Sequence, residues 1–239
     1  MKKIALFALF TLATAVLFAT DTVKVKQTRI PILIDREDNV LFNLRIDAKE
    51  SKSLNEVKLH FAEDVNINEI ETLKLYYSGT EAVQNENQLR YAPVQYISSH
   101  SPGNTRKANP SYSIMVAAQK PTKNEVVLST DYELFPGTNY FWVSLNMKSN
   151  ASLLSKIDVT LKSVKLDNSE APLAFADEAM PHRLGYGVRQ AGDDNSAAFR
   201  IPGLVTSNEG TLLGVYDVRY NSSVDLQEYI DVGLSRSVD

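Results

Sequence analysis

An alternation of apolar and polar residues recurs along residues 21–167, and it limits the possible fold more than any other feature of the chain. Successive side chains of a strand point to opposite faces, so this period-2 pattern predicts strands with one buried face. The apolar positions fall in five runs: Phe42, Leu44, Ile46; Val57, Leu59, Phe61; Leu73, Leu75, Tyr77; Phe141, Val143, Leu145, Met147; and Ile157, Val159, Leu161. Strands of this kind bury their apolar faces when two sheets pack together. The sequence therefore predicts an all-β fold, with a β-sandwich over residues 21–167.

Irregular points in the pattern predict a bulge, turns and loops. The last run continues at Val164 and Leu166, which changes its parity, and a β-bulge near Ser163 accounts for the change. Turns are expected at Ser78-Gly79, at residues 101–104 and at Pro136-Gly137. Residues 85–111 are rich in Asn, Ser, Pro and Gln, which predicts long loops.

The N-terminus has the composition of a secretory signal peptide. Lys2 and Lys3 precede an apolar stretch that ends at the small residues Ala19 and Thr20. Such a segment is too short for a membrane span, and it predicts a periplasmic or secreted product after cleavage of residues 1–20. The alternative is a buried N-terminal helix.

Two properties of the whole chain narrow its function. The formal net charge is −4, and removal of the two leader lysines makes it more negative, which argues against nucleic acid and anionic membrane surfaces as partners. The chain has no Cys, which excludes a disulfide framework and an acylated lipoprotein cysteine.

The alternation stops after residue 167. Residues 168–195 are punctuated by proline and glycine, at Pro172, Pro181, Gly185, Gly187 and Gly192, and we interpret them as an interdomain connector. Residues 196–239 then begin a second domain. Its run Thr211–Arg219 is mostly apolar, which predicts a strand covered on both faces.

Three residues of this second domain have a distinctive spacing. Arg200-Ile201-Pro202 follows the aromatic Phe199, Arg219 lies 19 residues after Arg200, and Asp225 lies 25 residues after it. Pro202 fixes its own φ and predicts extended geometry for Ile201. Asp225 follows a polar loop, residues 220–224, where a general acid would be accessible to substrate.

The motif and both spacings resemble the opening blade of exo-α-sialidases, the neuraminidases of glycoside hydrolase family 33 with an Asp-box propeller. The resemblance, to the type found in gut anaerobes, implies that residues 196–239 start a six-bladed β-propeller. Ser237-Val238-Asp239 looks like the first half of an Asp-box turn. The chain would then be the N-terminal part of a longer enzyme, inactive alone. The nucleophilic Tyr, its Glu partner and two further arginines would lie beyond Asp239.

The resemblance also assigns roles to the three residues. Arg200 would bind the carboxylate of sialic acid, Arg219 would contact the ring hydroxyl side, and Asp225 would be the acid/base catalyst. The alternatives are a salt bridge for Arg200 and a turn-capping role for Asp225. Asp217, two residues before Arg219, shares its face and is expected to orient it by an ion pair. The acids that compete with Asp225 are Asp217, Glu228 and Asp231, and none has the family spacing.

The sandwich resembles, in length and position, an accessory or carbohydrate-binding module ahead of the propeller. Trp142 falls on the outward parity of its strand with Ser144 and Asn146, where an exposed indole would stack on a sugar ring. The alternative is that Trp142 packs under a loop or against the neighbouring domain.

The expected partners are sialylated glycans, on glycoproteins, glycolipids or oligosaccharides. We expect no cofactor and no metal, because His60, His100 and His182 are scattered without ligand spacing and no phosphate-binding loop is present. Two rival functions remain open. One is a sialic-acid-binding lectin that has lost its nucleophile, and the other is a trans-sialidase that passes the sugar to another glycan.

Overall fold

The computed structural model describes residues 21–80, 113–224 and 229–237, and strands dominate all three segments. The strands are β1 Thr22–Gln27, β2 Ile32–Leu33, β3 Asn39–Ala48, β4 Lys52–Phe61, β5 Ile70–Gly79, β6 Ile114–Gln119, β7 Glu125–Leu134, β8 Gly137–Met147, β9 Lys156–Ile157, β10 Val159–Leu166, β11 Ser169–Glu170, β12 Leu173–Phe175, β13 His182–Gly185, β14 Ala198–Thr206, β15 Leu212–Arg219 and β16 Ile230–Ser237. Single turns of 3₁₀-helix lie at Ile67–Glu69 and Asp193–Asn195. The three described segments contain no α-helix. The prediction of an all-β fold is confirmed.

Two sheets form the predicted sandwich. One has six strands in the order β12-β1-β3-β8-β5-β6, and the other has four in the order β11-β10-β4-β7. Apolar side chains from both sheets meet in one buried cluster, which contains every residue of the five alternating runs. Each buried aliphatic or aromatic side chain contributes on the order of 1.5–3 kcal/mol, so this cluster is the main source of stability.

Within the described segments, the bulge and two of the turns lie where the sequence predicts them. The register of β10 against β4 shifts between Leu161 and Ser163, which is the predicted bulge. Gly79 ends β5 and Gly137 begins β8, both at positive φ, a conformation that glycine adopts without a steric penalty. The turn predicted at 101–104, the loops predicted at 85–111 and the predicted N-terminal leader lie outside the described residues.

Of the two interpretations of Trp142, the exposed sugar-stacking indole is wrong. Its side chain is only 1% exposed, and its ring stacks on Tyr76 at 4.1 Å between centroids and 9° between planes. The indole N–H donates to Ser113 Oγ at 3.0 Å. Trp142 does point away from the sandwich core, as its parity requires, but the cross-strand pairing of β8 with β5 sets Tyr76 directly beside it.

Residues 168–185 return to the sandwich in three short strands. β11 forms a hairpin with β10, β12 runs parallel to β1 at the edge of the six-stranded sheet, and β13 joins β2 and β9 in a small third sheet. Leu184 of β13 is part of the buried cluster.

Residues 186–197 lead from β13 to a separate three-stranded antiparallel sheet, β14-β15-β16. The Asp35 carboxylate accepts hydrogen bonds from Gly187 N at 3.0 Å and Gln190 Nε2 at 3.1 Å, which anchors the start of this segment to the sandwich. The described residues contain no helix long and apolar enough to cross a membrane.

Candidate functional site

The sheet β14-β15-β16 brings the predicted arginines to one surface. Arg200 of β14 pairs directly with Asp217 of β15, and Arg219 pairs with Ala198. Paired residues, and residues two apart on a strand, point to the same side of a sheet. Arg200, Asp217 and Arg219 therefore share one face, which we call the arginine face.

A bulge separates Arg200 from the rest of its strand. The register shifts between the pairs Arg200–Asp217 and Gly203–Val215, which leaves one extra residue in β14. Ile201 has φ 51° in this bulge, so the expected extended geometry of Ile201 is wrong. The left-handed conformation of a β-branched residue costs on the order of 1–3 kcal/mol. The bulge requires this turn of the backbone, and the restriction imposed by Pro202 does not prevent it.

Arg219 is held at two points. It is only 3% exposed, and its Nη2 donates to Asp217 Oδ2 at 2.9 Å. Its Nη1 donates to the backbone oxygen of Ser223 at 3.2 Å. The ion pair between Asp217 and Arg219 is the one expected from the sequence, and it balances a guanidinium that has little contact with water.

Arg200 reaches the same backbone oxygen. Its Nη1 donates to Ser223 O at 2.8 Å, and its side chain is half-buried. The two guanidinium groups are thus close together although they come from different strands. Two neighbouring guanidinium groups concentrate positive charge on the arginine face, which favours an anionic ligand such as a carboxylate.

The opposite face of this sheet is centred on Tyr216, and we call it the tyrosine face. The Tyr216 hydroxyl accepts a hydrogen bond from Arg189 Nε at 2.8 Å and lies 2.8 Å from Ser235 Oγ. Burial acts to raise the pKa of Tyr216, but the hydrogen bonds with Ser235 and Arg189 outweigh it, so the pKa lies below its ordinary value. Phe199 packs edge-on against the ring at 5.5 Å. These contacts fix the segment after β13 against the back of the strand that bears Arg219.

Two of the three acids that compete with Asp225 are engaged elsewhere. Asp217 bonds to Arg219, and Asp231 accepts a hydrogen bond from the Tyr220 hydroxyl at 3.0 Å on the tyrosine face. This bond is the largest reason that the pKa of Tyr220 is raised. Asp225 itself, Glu228, and Val238-Asp239 of the predicted half Asp-box lie outside the described residues. Within the three described segments, no group of His, Asp and Glu side chains is placed to hold a metal ion.

Sequence reasoning missed the contacts that involve a backbone oxygen or a distant segment. The Ser223 carbonyl is a backbone group, so the sequence does not indicate its contacts. Arg189 is 27 residues from Tyr216 along the chain, too far for a local pattern to connect them. Gly233 offered a weak signal, as a glycine inside an apolar strand often marks a close approach. A Cβ at that position would lie 2.1 Å from the Tyr216 ring.

Residues 20–170 match the protein family described as the N-terminal domain of BNR-repeat neuraminidase. The chain belongs to this family. The family resemblance inferred from the arginine motif is thereby confirmed by a different part of the sequence, the sandwich.

Proteins with sequences or structures similar to this chain are named as sialidases, in agreement with the family. The sialidase of Bacteroides fragilis (strain YCH46) is 60% identical over 241 residues, covering 100% of this chain and 44% of the relative. A sialidase of Paraclostridium sordellii is 47% identical over 45 residues, covering 19% of this chain and 11% of the relative. Among solved structures, the Hadza microbial sialidase Hz136 aligns with a TM-score of 0.74 and 48% identity, over 90% of this chain and 42% of that one. The chain spans less than half the length of these relatives.

Proposed function

We propose that the protein carrying this sequence is an exo-α-sialidase, which hydrolyses terminal sialic acid from glycoproteins, glycolipids and oligosaccharides with retention of configuration. The observation that carries the proposal is the convergence of Arg200 and Arg219 on one face of the β14-β15-β16 sheet, at the backbone oxygen of Ser223. Two neighbouring guanidinium groups suit a sugar that carries a carboxylate at its reacting carbon.

The chemistry divides between these residues and others of a longer chain. Arg200 would bind the substrate carboxylate and Arg219 the ring hydroxyl side. Asp225 would protonate the departing oxygen and later deprotonate water. Sialidases use a Tyr nucleophile in place of the usual carboxylate. A neutral phenol avoids repulsion by the carboxylate of the sugar. In this proposal the tyrosine, its Glu partner and the other arginines lie beyond Asp239, and the activity belongs to the longer protein.

The sheet β14-β15-β16 is suited to be the first blade of a β-propeller. Apolar side chains are exposed on its arginine face, with Val232 at 81% and Leu234 at 59%, and Leu204 is 73% exposed on the other side. Propeller strands are covered by adjacent blades, which would bury such residues. The N-terminal leader further supports a periplasmic or secreted enzyme.

The test measures hydrolysis of two sialosides, one natural and one with an aryl leaving group, by the full-length protein. Asp225→Asn should lower the rate on the natural sialoside by about 10²–10⁴-fold and affect the aryl sialoside much less, because a good leaving group needs no proton. Glu228→Gln, which removes a neighbouring acid, should leave both rates near the wild-type values. The first sugar released should be the α-anomer by proton NMR.

Other outcomes would assign another function. Equal losses on both substrates would place Asp225 in binding or folding. Binding of sialosides without any hydrolysis would favour the lectin function, and transfer to an added glycan in preference to water would favour a trans-sialidase. Release of the β-anomer first would contradict retention.

A further inference from the structure

A single backbone oxygen receives one hydrogen bond from each arginine of the arginine face. Arg200 Nη1 lies 2.8 Å from Ser223 O, and Arg219 Nη1 lies 3.2 Å from it. A carbonyl oxygen has two lone pairs, so it can accept both bonds at once. The two guanidinium groups are therefore joined through Ser223.

The shared acceptor restrains both guanidinium groups in the absence of a ligand. Arg219 is fixed at a second point by Asp217. A side chain held before the substrate arrives loses less conformational entropy when the substrate binds.

Two hydrogen bonds restrain the chain around this oxygen. Tyr220, at the start of the loop, donates to Asp231 of β16 at 3.0 Å, and inside the loop the Val224 N–H donates to Ser222 Oγ at 3.1 Å. The acceptor is a backbone oxygen, so the Ser223 side chain takes no part in either bond to the arginines.

We propose that the Ser223 carbonyl is a positioning group that fixes the guanidinium groups of Arg200 and Arg219 relative to each other for binding an anionic sugar. The proposal rests on the proposed function, since that function names the sugar. It goes beyond that function because it assigns part of the substrate affinity to a backbone oxygen that acts through the two arginines.

The test makes the Ser223 oxygen a weaker hydrogen-bond acceptor without changing any side chain. The α-hydroxy analogue of valine, incorporated at position 224 of the full-length protein, converts the Ser223–Val224 amide into an ester, whose carbonyl is a poorer acceptor. The ester also removes the bond from Val224 N–H to Ser222. Ser222→Ala removes that same bond and keeps the amide, so it is the matched control.

Affinity for N-acetylneuraminic acid, measured by calorimetry, should fall about three- to tenfold in the ester protein relative to Ser222→Ala, the scale of weakening one or two hydrogen bonds. The KM for a sialoside should rise by a similar factor, with a smaller change in kcat. The thermal unfolding midpoint should match that of the control. Equal affinities in the ester and control proteins would overturn the proposal.

A second measurement needs no modified protein. In side-chain NMR of the wild type, rotation about the Cζ–Nε bonds of Arg200 and Arg219 should be slow, because Nη1 of each is held. Free rotation of either group would also overturn the proposal. If the wild-type protein neither binds N-acetylneuraminic acid nor cleaves sialosides, the proposed function fails, while slow rotation would still support the positioning role.

Discussion

At the scale of single residues, the buried charge of Arg219 is the feature with the clearest energetic consequence. A guanidinium only 3% exposed is costly unless it is paired, and Asp217 at 2.9 Å supplies the pair. The carboxylate also places a negative charge beside the site proposed for an anionic sugar. Asp217 therefore has two opposite effects on binding of the sugar: it orients Arg219, which favours binding, and its negative charge repels the sugar carboxylate. Substitution of Asp217 shows which effect is larger.

Asp217→Ala and Asp217→Asn are both expected to weaken binding of N-acetylneuraminic acid to the full-length protein. Removing a nearby negative charge would by itself tighten anion binding, but an Arg219 without its partner loses its orientation. We expect a loss of about 1–3 kcal/mol for alanine and less for asparagine, which keeps an acceptor oxygen. Calorimetric dissociation constants measure the effect. Glu209→Gln, which changes the charge equally at an exposed turn, should have no effect, and tighter binding by either Asp217 variant would show that repulsion dominates.

At the scale of elements, the long strands and the bulge could be predicted from the sequence. Alternation over five to seven residues, as in the five runs, determines which face is buried, and a change in parity, as at Ser163, locates an extra residue. Short strands carry too few residues for a pattern. β11 follows β10 through a two-residue hairpin turn at Asp167 and Asn168, both at positive φ. The turn contains no glycine or proline, so the turn signals used for the other turns do not mark it.

The site was predictable only in part, for a related reason. The motif spacing selected Arg200 and Arg219, which the sheet brings to one face, and parity placed Asp217 on the face of Arg219. The left-handed Ile201 was not predictable, because it depends on how β14 pairs with β15 and not on its neighbours in sequence. The environment of Trp142 likewise depends on Tyr76, a cross-strand partner 66 residues earlier in the chain.

Gly233→Ala should destabilise the β14-β15-β16 sheet. The new Cβ would lie 2.1 Å from Tyr216 Cε2 and 2.9 Å from Val218 Cγ2, and the Tyr216 ring is held in place by Arg189. Forcing a methyl group into such a contact costs about 1–3 kcal/mol. In the full-length protein, peptides from β15 and β16 should exchange amide hydrogens faster, with β3 and β8 unchanged. Gly214→Ala is the control, since its Cβ meets no atom closer than 4.0 Å, and equal exchange in both variants would contradict the steric argument.

At the scale of the whole molecule, one buried histidine connects β13 to the sandwich. His182 is 4% exposed, its Nδ1 lies 3.0 Å from Ile30 O, and its Nε2 lies 3.2 Å from the amide nitrogen of Gln27. A carbonyl oxygen cannot donate, so Nδ1 carries the hydrogen and Nε2 accepts from Gln27. The Gln27 amide cannot flip without losing both of its hydrogen bonds to Met180.

The stability of the sandwich should therefore fall in mild acid. Burial lowers the pKa of His182 below its usual 6.5, against smaller opposing effects of the bond to Ile30 and of Asp158. Below pH 6.5 the histidine binds a proton in the unfolded chain but not in the folded chain. The contribution of His182 to the free energy of unfolding is therefore fully present above pH 6.5 and decreases as the pH falls toward the folded pKa. The slope is at most about 1.4 kcal/mol per pH unit. Urea unfolding at pH 7.5 and 5.5 measures it. His182→Gln should reduce the pH dependence, and His60→Gln should retain it.

The two parts of the molecule differ in how well their apolar residues are buried, and this difference predicts how the 239-residue chain behaves alone. The sandwich encloses one continuous core, whereas Val232, Leu204 and Leu234 of the last sheet are mostly exposed. A repeat unit that cannot bury its faces without its neighbours is unstable by itself. Amides of β3, β8 and β4 should be protected from hydrogen exchange in this chain, while those of β14, β15 and β16 should exchange quickly.

The same chain should hydrolyse no sialoside, and the exposed strands should promote its aggregation. Addition of the remaining length found in the relatives should slow exchange in β14–β16 and leave the sandwich unchanged, because only the last sheet gains neighbours. Strong protection of β15 in a confirmed monomer of 239 residues would show that this sheet is stable without them. Hydrolysis by that monomer would show that the catalytic groups do not require the longer chain.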